Sequence, residues 1–308
     1  MSRGLTNEPF IVYEDGLQTR NFVHVADVAE EKMLSLEKDD ANFQAREVGS
    51  GADTPVLHGV IRDPQRRSTR KTRLMSLEHG QQVFRLDEES PHWVSGGVEE
   101  ALLGHIRAKM AGADAVLCSD YWKGTLTARI LQTAFHHARQ LDLPAVVAPK
   151  DSSPEKYRGA GVLIPNMKEL AQLARAAPDR TQWLGRAAIE IIKTLEIESL
   201  LATRGSEGIS LFERSADAVR RVDIPTTART VYDVTGAGDT VVSVFTLAVA
   251  AGVDRETAAR WANAAGGIVV GKRGTACVTV EELQEGLQEE KKVVPVPEGV
   301  APISTLRE

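Results

Sequence analysis

The sequence predicts an α/β protein in which a doubly wound, mainly parallel sheet is flanked by helices. Three observations support this fold class. From about residue 98, helical segments alternate with apolar runs, as they do when helices connect neighbouring strands. The apolar runs are only a few residues long, a length that suits strands better than helices. The last third of the chain has the pattern of consecutive helices and follows a Gly-rich turn.

Each element follows from this alternation in order along the chain. A turn at Gly205–Gly208 lies between two apolar runs and predicts a hairpin. The tail 293–308 contains three prolines and is expected to be a frayed end or a linker. The predicted elements are helix 98–111, strand 115–118, helix 126–140, strand 145–147, strand 161–164, helix 183–195, strand 200–203, strand 209–212 and helices 237–251, 255–271 and 280–289.

The composition excludes several functional classes. The chain has 308 residues, of which 42% are hydrophobic and 26% charged, as in an ordinary globular protein with a sizeable core. No apolar run approaches the ~20 residues that a membrane span needs, and the first residues lack the apolar region of a signal peptide. The net charge of −6 argues against nucleic-acid binding, and the basic run 62–73 lacks interleaved aromatic residues. We therefore expect a cytoplasmic protein with no nucleic-acid or membrane partner.

The run 232–240 is the most informative stretch of the chain. Its turn Gly236-Ala237-Gly238 leaves backbone N–H groups bare at a helix N-terminus, where they and the helix dipole attract an anion. The Asp239 carboxylate would repel a phosphoryl group. Its position beside a phosphate site is explained if it takes a proton from an attacking hydroxyl. The alternative is a Gly-rich helix cap with an acidic residue in the first turn. The whole nonapeptide favours the phosphate site.

The segment 233–239 resembles the second signature of the ribokinase-like, or pfkB, carbohydrate kinases. The resemblance implies a ribokinase-like fold that uses ATP and Mg²⁺. It also implies that Asp239 is the catalytic base and that Gly236, Ala237 and Gly238 form an anion hole for the transferred phosphate. It covers about residues 51–290 and begins late. The Gly-Gly-x-x-x-Asn signature of such kinases is not found before residue 51, so we expect the N-terminal part of the kinase fold to be missing.

Two residues resemble the Asn-x-x-Glu motif of the family. The resemblance implies that Asn166 and Glu169 organise Mg²⁺ through water and the phosphates, which suits an ion that keeps much of its water shell. The same spacing also predicts a capping box, with Asn166 as N-cap and Glu169 at the third helical position. Both interpretations can hold together.

Further residues resemble the family's nucleotide and cation sites. The resemblance implies a nucleotide loop formed by Thr203, Arg204, Gly205 and Gly208, with Asn263 on the helix that borders the adenine. A polar helix residue that caps a neighbour is the alternative for Asn263. The pocket is expected to close near Gly274, and Asp233 with carbonyls near that glycine would bind a monovalent cation such as K⁺.

Three strings, 71–76, 81–87 and 119–124, resemble the kinase part of the bacterial heptose-phosphate kinases. These enzymes phosphorylate D-glycero-β-D-manno-heptose 7-phosphate at O1 in lipopolysaccharide core synthesis. Where they usually have Asp-Pro-Lys, this chain has Ala148-Pro149-Lys150, which predicts weakened activity. Because Asp120 follows a buried strand, we predict that it contacts the sugar. Cations that could bind the substrate phosphate, or could simply be surface charges, are Lys71, Arg73, Arg85 and Lys123.

The expected organisation has three parts. Residues 1–50 resemble a C-terminal fragment of an NAD-dependent nucleotide-sugar epimerase and are expected to dock poorly, residues 51–290 form the kinase domain, and residues 291–308 are a tail. The expected partners are ATP and a sugar phosphate, and a homodimer is compatible with the sequence. The rival functions are another sugar kinase of the same family and a non-catalytic nucleotide-binding remnant.

Overall fold

The structure is a computed structural model. It describes residues 11–12, 61, 63–66, 70–75, 82–89, 92–176, 183–216, 218–228, 230–272 and 276–293. The strands are β1 (Ile11–Val12), β2 (Arg70–Met75), β3 (Gln82–Glu88), β4 (Val116–Ser119), β5 (Ala145–Ala148), β6 (Val162–Leu163), β7 (Ser199–Thr203), β8 (Ile209–Arg214) and β9 (Val219–Ile224). The helices are α1 (Gly96–Lys109), α2 (Ala128–Gln140), α3 (Met167–Leu173), α4 (Trp183–Leu195), α5 (Ala237–Ala250), α6 (Arg255–Val270) and α7 (Val280–Val293).

Six strands form the main sheet in the order β4-β5-β6-β7-β8-β9. The strands from β4 to β7 pair in parallel, whereas β8 and β9 add to the sheet as antiparallel neighbours. The predicted α/β class with a mainly parallel sheet is confirmed. Because β4 to β7 all end at one edge, the residues that follow them meet there, and this edge carries the site described below.

Helices pack on both faces of this sheet because successive side chains of its strands point to opposite sides. Val146 of β5 belongs to a core that includes Phe245 of α5 and Trp261 of α6. Its neighbour Val147 belongs to a second core with Phe135 of α2. Phe135 and Phe245 are both fully buried, and burial of a side chain of this size stabilises the fold by about 1.5–3 kcal/mol.

A second, three-stranded sheet has the order β1-β2-β3, and all its pairings are antiparallel. Strand β2 begins at Arg70, within the basic run 62–73. On β3, Phe84 and Leu86 are 53% and 51% exposed. The small sheet thus presents apolar side chains to solvent.

One strand of the main sheet, β9, was not predicted. Its sequence, VRRVDI, places charged residues at three of six positions, and Ile224 is its one fully buried residue. It pairs with β8 at the end of the sheet order, where a charged strand protects an otherwise open edge. Tertiary pairing, not apolar pattern, therefore makes this segment a strand.

The predicted domain boundaries fall largely outside the described residues. Apart from residues 11–12, the segment 1–50 lies outside them, as do residues 294–308. Helix α7 ends at Val293, a few residues beyond its predicted end. Among the helices in the described part of the chain, none has the length and apolar character to cross a bilayer.

Candidate active site

The carboxyl edge of the main sheet brings several of the predicted site residues together. After β4, the N–H of Asp120 donates to the carbonyl of Ala148 at 2.9 Å. After β6, Asn166 forms an isolated parallel bridge with Thr203, the last residue of β7. The loops after β4, β5, β6 and β7 are thereby held side by side, as expected for ligand-binding loops of an open α/β sheet.

The predicted phosphate turn opens helix α5. Gly236 is its N-cap with a left-handed φ of 82°, and no side chain caps this helix start. Such a φ favours glycine, which lacks the Cβ that would clash. A Cβ added at Gly238 would meet no atom within 4 Å, so the backbone there faces open space. The first N–H groups of a helix have no partner within it, and this turn presents them without a competing side chain.

Asp239 lies in the first turn of α5 and contacts a residue that is distant from it in the sequence. The hydroxyl of Tyr121, just after β4, donates to Asp239 Oδ1 at 2.9 Å. Tyr121 is 41% exposed, so this contact sits at the surface of the site. Tyr121 lies in the string 119–124 that resembles the heptose-phosphate kinases, but no role was predicted for it. Its place two residues after strand β4 was the available signal.

Asp120 is buried in a cluster of charged groups. Lys156 Nζ lies 2.6 Å from Asp120 Oδ2 and 2.9 Å from Asp151 Oδ2, and the three side chains are 6%, 4% and 5% exposed, respectively. The hydroxyl of Tyr157 also donates to Asp120 Oδ2 at 2.6 Å. Burial, reinforced by Asp120, raises the pKa of the Tyr157 phenol well above its usual value.

Burial and the same cluster together raise the pKa of a thiol on the preceding strand, β4. Burial, and then the nearby Asp120 carboxylate, raises the pKa of the Cys118 thiol to about 12, so the thiol stays protonated. Lys156 Nζ also lies 5.0 Å from the centre of the Trp93 ring, within cation–π range. Asp120 was predicted to contact the sugar. The structure gives both of its oxygens protein partners, which favours an indirect role.

The turn after Asp120 is sharply bent. Trp122 donates its N–H to Asp120 Oδ1 at 2.8 Å and has a φ of 53°. This left-handed conformation costs a bulky residue roughly 1–2 kcal/mol. Gly124 follows with a φ of 83°, and a Cβ there would lie 2.1 Å from the carbonyl oxygen of His92. Lys123, a predicted phosphate contact, forms an ion pair with Glu89 at the end of β3.

The other predicted cations lie on the small sheet. Arg73 of β2 is directly opposite Arg85 of β3, and Lys71 is opposite Asp87. The side chains of Lys71, Arg73 and Arg85 lie outside the described part of the structure. Their assignment to the substrate phosphate stays a prediction.

The predicted Mg²⁺ residues form the capping box of α3. Asn166 accepts from the N–H of Glu169 at 2.9 Å, and Glu169 Oε2 accepts from the N–H of Asn166 at 2.9 Å. Both hydrogen bonds of the predicted capping box are therefore present. Glu169 Oε1 also lies 2.8 Å from Lys150 Nζ, an exposed lysine that follows β5. A cation and a carboxylate thus lie together at this part of the sheet edge.

The predicted nucleotide loop follows β7. Arg204 donates to Glu207 Oε2 and to its carbonyl oxygen, both at 3.0 Å. Arg204 Nε is buried and has no hydrogen-bond partner in the described part of the structure. Gly205 has a φ of 59°, and Gly208, with a φ of 85°, packs so closely that a Cβ would lie 2.2 Å from the Ile224 carbonyl oxygen.

Asn263 is buried in α6, and its Nδ2 donates to the carbonyl oxygen of Pro225 at 2.7 Å. This contact supports the alternative interpretation, in which Asn263 holds the segment after β9. Asp233 Oδ1 accepts from the N–H of Thr235 at 2.8 Å, which shapes the approach to the phosphate turn. Gly274, predicted to close the pocket, lies outside the described residues.

These residues fit a nucleotide and a water-bound metal ion. Within the described ranges, no group of three or more His, Cys, Asp or Glu residues is arranged to hold a metal ion. Mg²⁺ commonly keeps several waters and takes one or two carboxylates together with phosphate oxygens. Glu169 and Asn166 match such a donor set. In the described part of the chain, Arg204 Nε has no hydrogen-bond partner and no side chain caps the turn at Gly236, although the Ala237 N–H donates to the Val234 carbonyl at 3.3 Å. Such donors suit anionic oxygens.

Comparisons with known proteins indicate the family of this chain. Residues 57–281 match the model of the pfkB family of carbohydrate kinases. The bifunctional protein HldE of Geotalea uraniireducens is 45% identical over 235 residues, which is 76% of this chain and 46% of that protein. The HldE protein of Nitrobacter hamburgensis is 40% identical over 249 residues, 80% of this chain and 50% of that protein. The chain spans about half the length of the curated relatives it matches.

Solved structures support the fold. Ribokinase from Giardia lamblia superposes with a TM-score of 0.58 at 18% identity and covers 73% of each chain. Phosphofructokinase-2 from Escherichia coli in complex with potassium gives a TM-score of 0.57 at 18% identity, covering 67% of this chain and 66% of that one. At this level of identity, the likeness concerns the fold alone.

Proposed function

This chain belongs to the pfkB family of carbohydrate kinases, and from that membership we propose that it phosphorylates D-glycero-β-D-manno-heptose 7-phosphate at O1, with ATP as donor. The observation that carries this proposal is the position of Asp239 after the uncapped turn at Gly236, in contact with Tyr121 just after β4. The strings that resemble heptose-phosphate kinases, and the identity of 40–45% to HldE proteins, support the choice of sugar.

In the proposed reaction, Asp239 accepts the proton of the acceptor hydroxyl as its oxygen attacks the γ-phosphorus. The bond from that phosphorus to the bridging oxygen of ATP breaks, and ADP leaves. The N–H groups of the turn Gly236-Ala237-Gly238 stabilise charge on the transferred phosphoryl oxygens. General base catalysis of this kind contributes about 10²–10⁴-fold.

Asn166 and Glu169 would hold Mg²⁺ through water, and the bound ion would neutralise phosphate charge. Lys150, whose Nζ lies 2.8 Å from Glu169 Oε1, is proposed to contact the same phosphates. Arg204, with its buried and unpartnered Nε, is proposed to bind an oxygen of the nucleotide. Asp233 is proposed to bind a monovalent cation such as K⁺ together with carbonyls near Gly274.

The acceptor side is proposed to recognise a sugar that already carries a phosphate. Lys123 lies on the loop after β4, and Lys71, Arg73 and Arg85 belong to the small sheet. We propose that Asp120 acts indirectly, since its carboxylate already binds Lys156, Tyr157 and the N–H of Trp122. We also propose a homodimer, supported by the exposed apolar residues Phe84 and Leu86 on β3. The proposed use of ATP fits a cytoplasmic location.

The test is to incubate the purified 308-residue chain with ATP, Mg²⁺ and heptose 7-phosphate and to follow the products by ³¹P NMR. A new sugar 1-phosphate signal is expected, and sedimentation of the same sample should give the mass of two chains. Asp239→Asn should lower turnover by about 10²–10⁴-fold while ATP affinity stays within a few-fold. Asp142→Asn, an exposed change at a left-handed position that Asn tolerates, is the matched control.

Two results would redirect the proposal. Turnover of another sugar, such as fructose 6-phosphate or ribose, in preference to the heptose would indicate a different kinase of this family. ATP binding without turnover of any sugar would favour a nucleotide-binding remnant, in keeping with Ala148 at a position where the resembling kinases carry a carboxylate.

A further inference from the structure

We infer that Tyr121 is a positioning residue for Asp239, and this inference rests on the proposed function. The Tyr121 hydroxyl donates to Asp239 Oδ1 at 2.9 Å. A hydrogen bond to one carboxylate oxygen restricts the rotation of the group and leaves Oδ2 to receive the acceptor proton. Tyr121 thereby sets the direction in which the Asp239 carboxylate faces the acceptor hydroxyl.

The backbone around Tyr121 is held from both sides. The N–H of the preceding residue, Asp120, donates to the Ala148 carbonyl at 2.9 Å, and the N–H of the following residue, Trp122, donates to Asp120 Oδ1 at 2.8 Å. Asp120 is fixed in turn by the buried Lys156. Because these hydrogen bonds fix the backbone of the turn, the Tyr121 hydroxyl keeps one orientation although the side chain is exposed.

Asp239 is equally well anchored on its side. It lies in the first turn of α5, where Ser243 Oγ donates to the Asp239 carbonyl oxygen at 2.6 Å. The side chain of Phe245, farther along the same helix, is fully buried in the core against the sheet. The contact therefore joins the hydrogen-bonded turn just after β4 to the first turn of α5. Residues on rigid elements hold catalytic geometry better than residues on loose loops.

The left-handed φ of 53° at Trp122 supports a functional reason for this turn. Backbone strain of this kind persists where the surrounding structure fixes it, and it is concentrated at functional sites. The chain bends at Trp122, directly after Tyr121. The turn thus leaves Tyr121 at the mouth of the site instead of continuing the strand.

The kinetic test compares Tyr121→Phe with wild type and with Asp142→Asn. Removing the hydroxyl should lower kcat about tenfold and leave KM for ATP and sugar within about twofold, because a slightly misdirected group costs rate more than binding. Asp142→Asn, which changes an exposed residue at a left-handed position that Asn tolerates, should leave kcat within about twofold. In an Asp239→Asn background, Tyr121→Phe should have no further effect, since Tyr121 acts through Asp239.

Unchanged kcat in Tyr121→Phe, or a rise in KM alone, would overturn the inference. So would a tenfold loss that persists undiminished in the Asp239→Asn background, because Tyr121 would then act independently of the carboxylate.

A second measurement does not need turnover. The chain has four tyrosines, so full replacement by 3-fluorotyrosine gives at most four ¹⁹F NMR resonances, and Tyr121→Phe identifies that of Tyr121. Asp239→Ala should shift this resonance, whereas Asp114→Ala, a change at an exposed and remote carboxylate, should not. If Asp239→Ala leaves the resonance in place, the inference is wrong. If it shifts while the wild-type chain phosphorylates no sugar, the proposed function fails and the contact stands.

Discussion

The contacts on the nucleotide side and on the acceptor side of the site join residues at different separations along the sequence. On the nucleotide side, Asn166 and Glu169 are three residues apart and complete a capping box. On the acceptor side, Tyr121 binds Asp239 across 118 residues, and Tyr157 binds Asp120 across 37. The first kind of contact is set by one helical turn, whereas the second depends on the completed fold.

This difference determines how each side responds to mutation. A cap contributes about 1 kcal/mol and involves exposed backbone groups. The charges around Asp120 lie out of water, so removal of one partner leaves the others uncompensated. We therefore expect the acceptor side to be the part of the site that depends most on intact tertiary packing.

The largest effect is expected from Lys156→Met. It leaves Asp120 and Asp151 buried without their shared cation, and loss of one partner of a buried pair costs about 3–5 kcal/mol. The free energy of unfolding from urea titration gives the measurement. Lys150→Met is the matched control, because Lys150 is 52% exposed and its pair with Glu169 should contribute at most about 1 kcal/mol. Equal losses in the two variants would contradict the contrast between the two sides.

A smaller effect is expected from Gly208→Ala, which tests whether the nucleotide side is purely local. The added Cβ would lie 2.2 Å from the Ile224 carbonyl oxygen and 2.5 Å from the Thr226 nitrogen. Crowding of this kind and the left-handed φ together should cost roughly 2–4 kcal/mol in urea titration. Gly205→Ala also has a left-handed φ but meets no atom within 4 Å, so it should cost about 1–2 kcal/mol. A Gly208→Ala cost no greater than this would show that the contact with the segment after β9 is loose.

The sequence predicts best those features that depend on neighbours along the chain. The parallel strands, the main helices and both hydrogen bonds of the capping box fall into this class. Strand β9 was not predicted because its charges mask the apolar pattern, and pairing with β8 creates it. The burial of Lys156 was also not predicted, since lysines are almost always exposed unless they are paired, and its partners Asp120 and Asp151 meet it through folding.

The candidate site also combines features set by neighbours along the chain with features set by long-range packing. Asp239 and its turn could be recognised from one continuous motif, whereas the contact with Tyr121 joins residues that no spacing rule connects. Asp120 was correctly placed at the sheet edge, but its burial among charged partners depends on the loop after β5. A motif thus locates a residue, and long-range packing decides what its side chain contacts.

The smallest effect on stability is expected from Asn166→Ala, and it addresses whether the capping box also serves the nucleotide. Loss of the Asn166 cap should cost about 1 kcal/mol in urea titration. Thr127→Ala removes a comparable cap from α2, where Thr127 accepts from the N–H of Ile130, together with the hydrogen bond that Thr127 donates to Glu99, and should cost at least as much.

The two variants should differ in nucleotide binding. If Asn166 and Glu169 also organise Mg²⁺, Asn166→Ala weakens the binding of ATP measured by calorimetry in the presence of Mg²⁺, and Thr127→Ala leaves it unchanged. Because both variants lose one helix cap, a difference between them cannot arise from stability alone. Equal ATP affinities would mean that the short-range contacts of the nucleotide side are structural only, and the metal would then have to be held elsewhere.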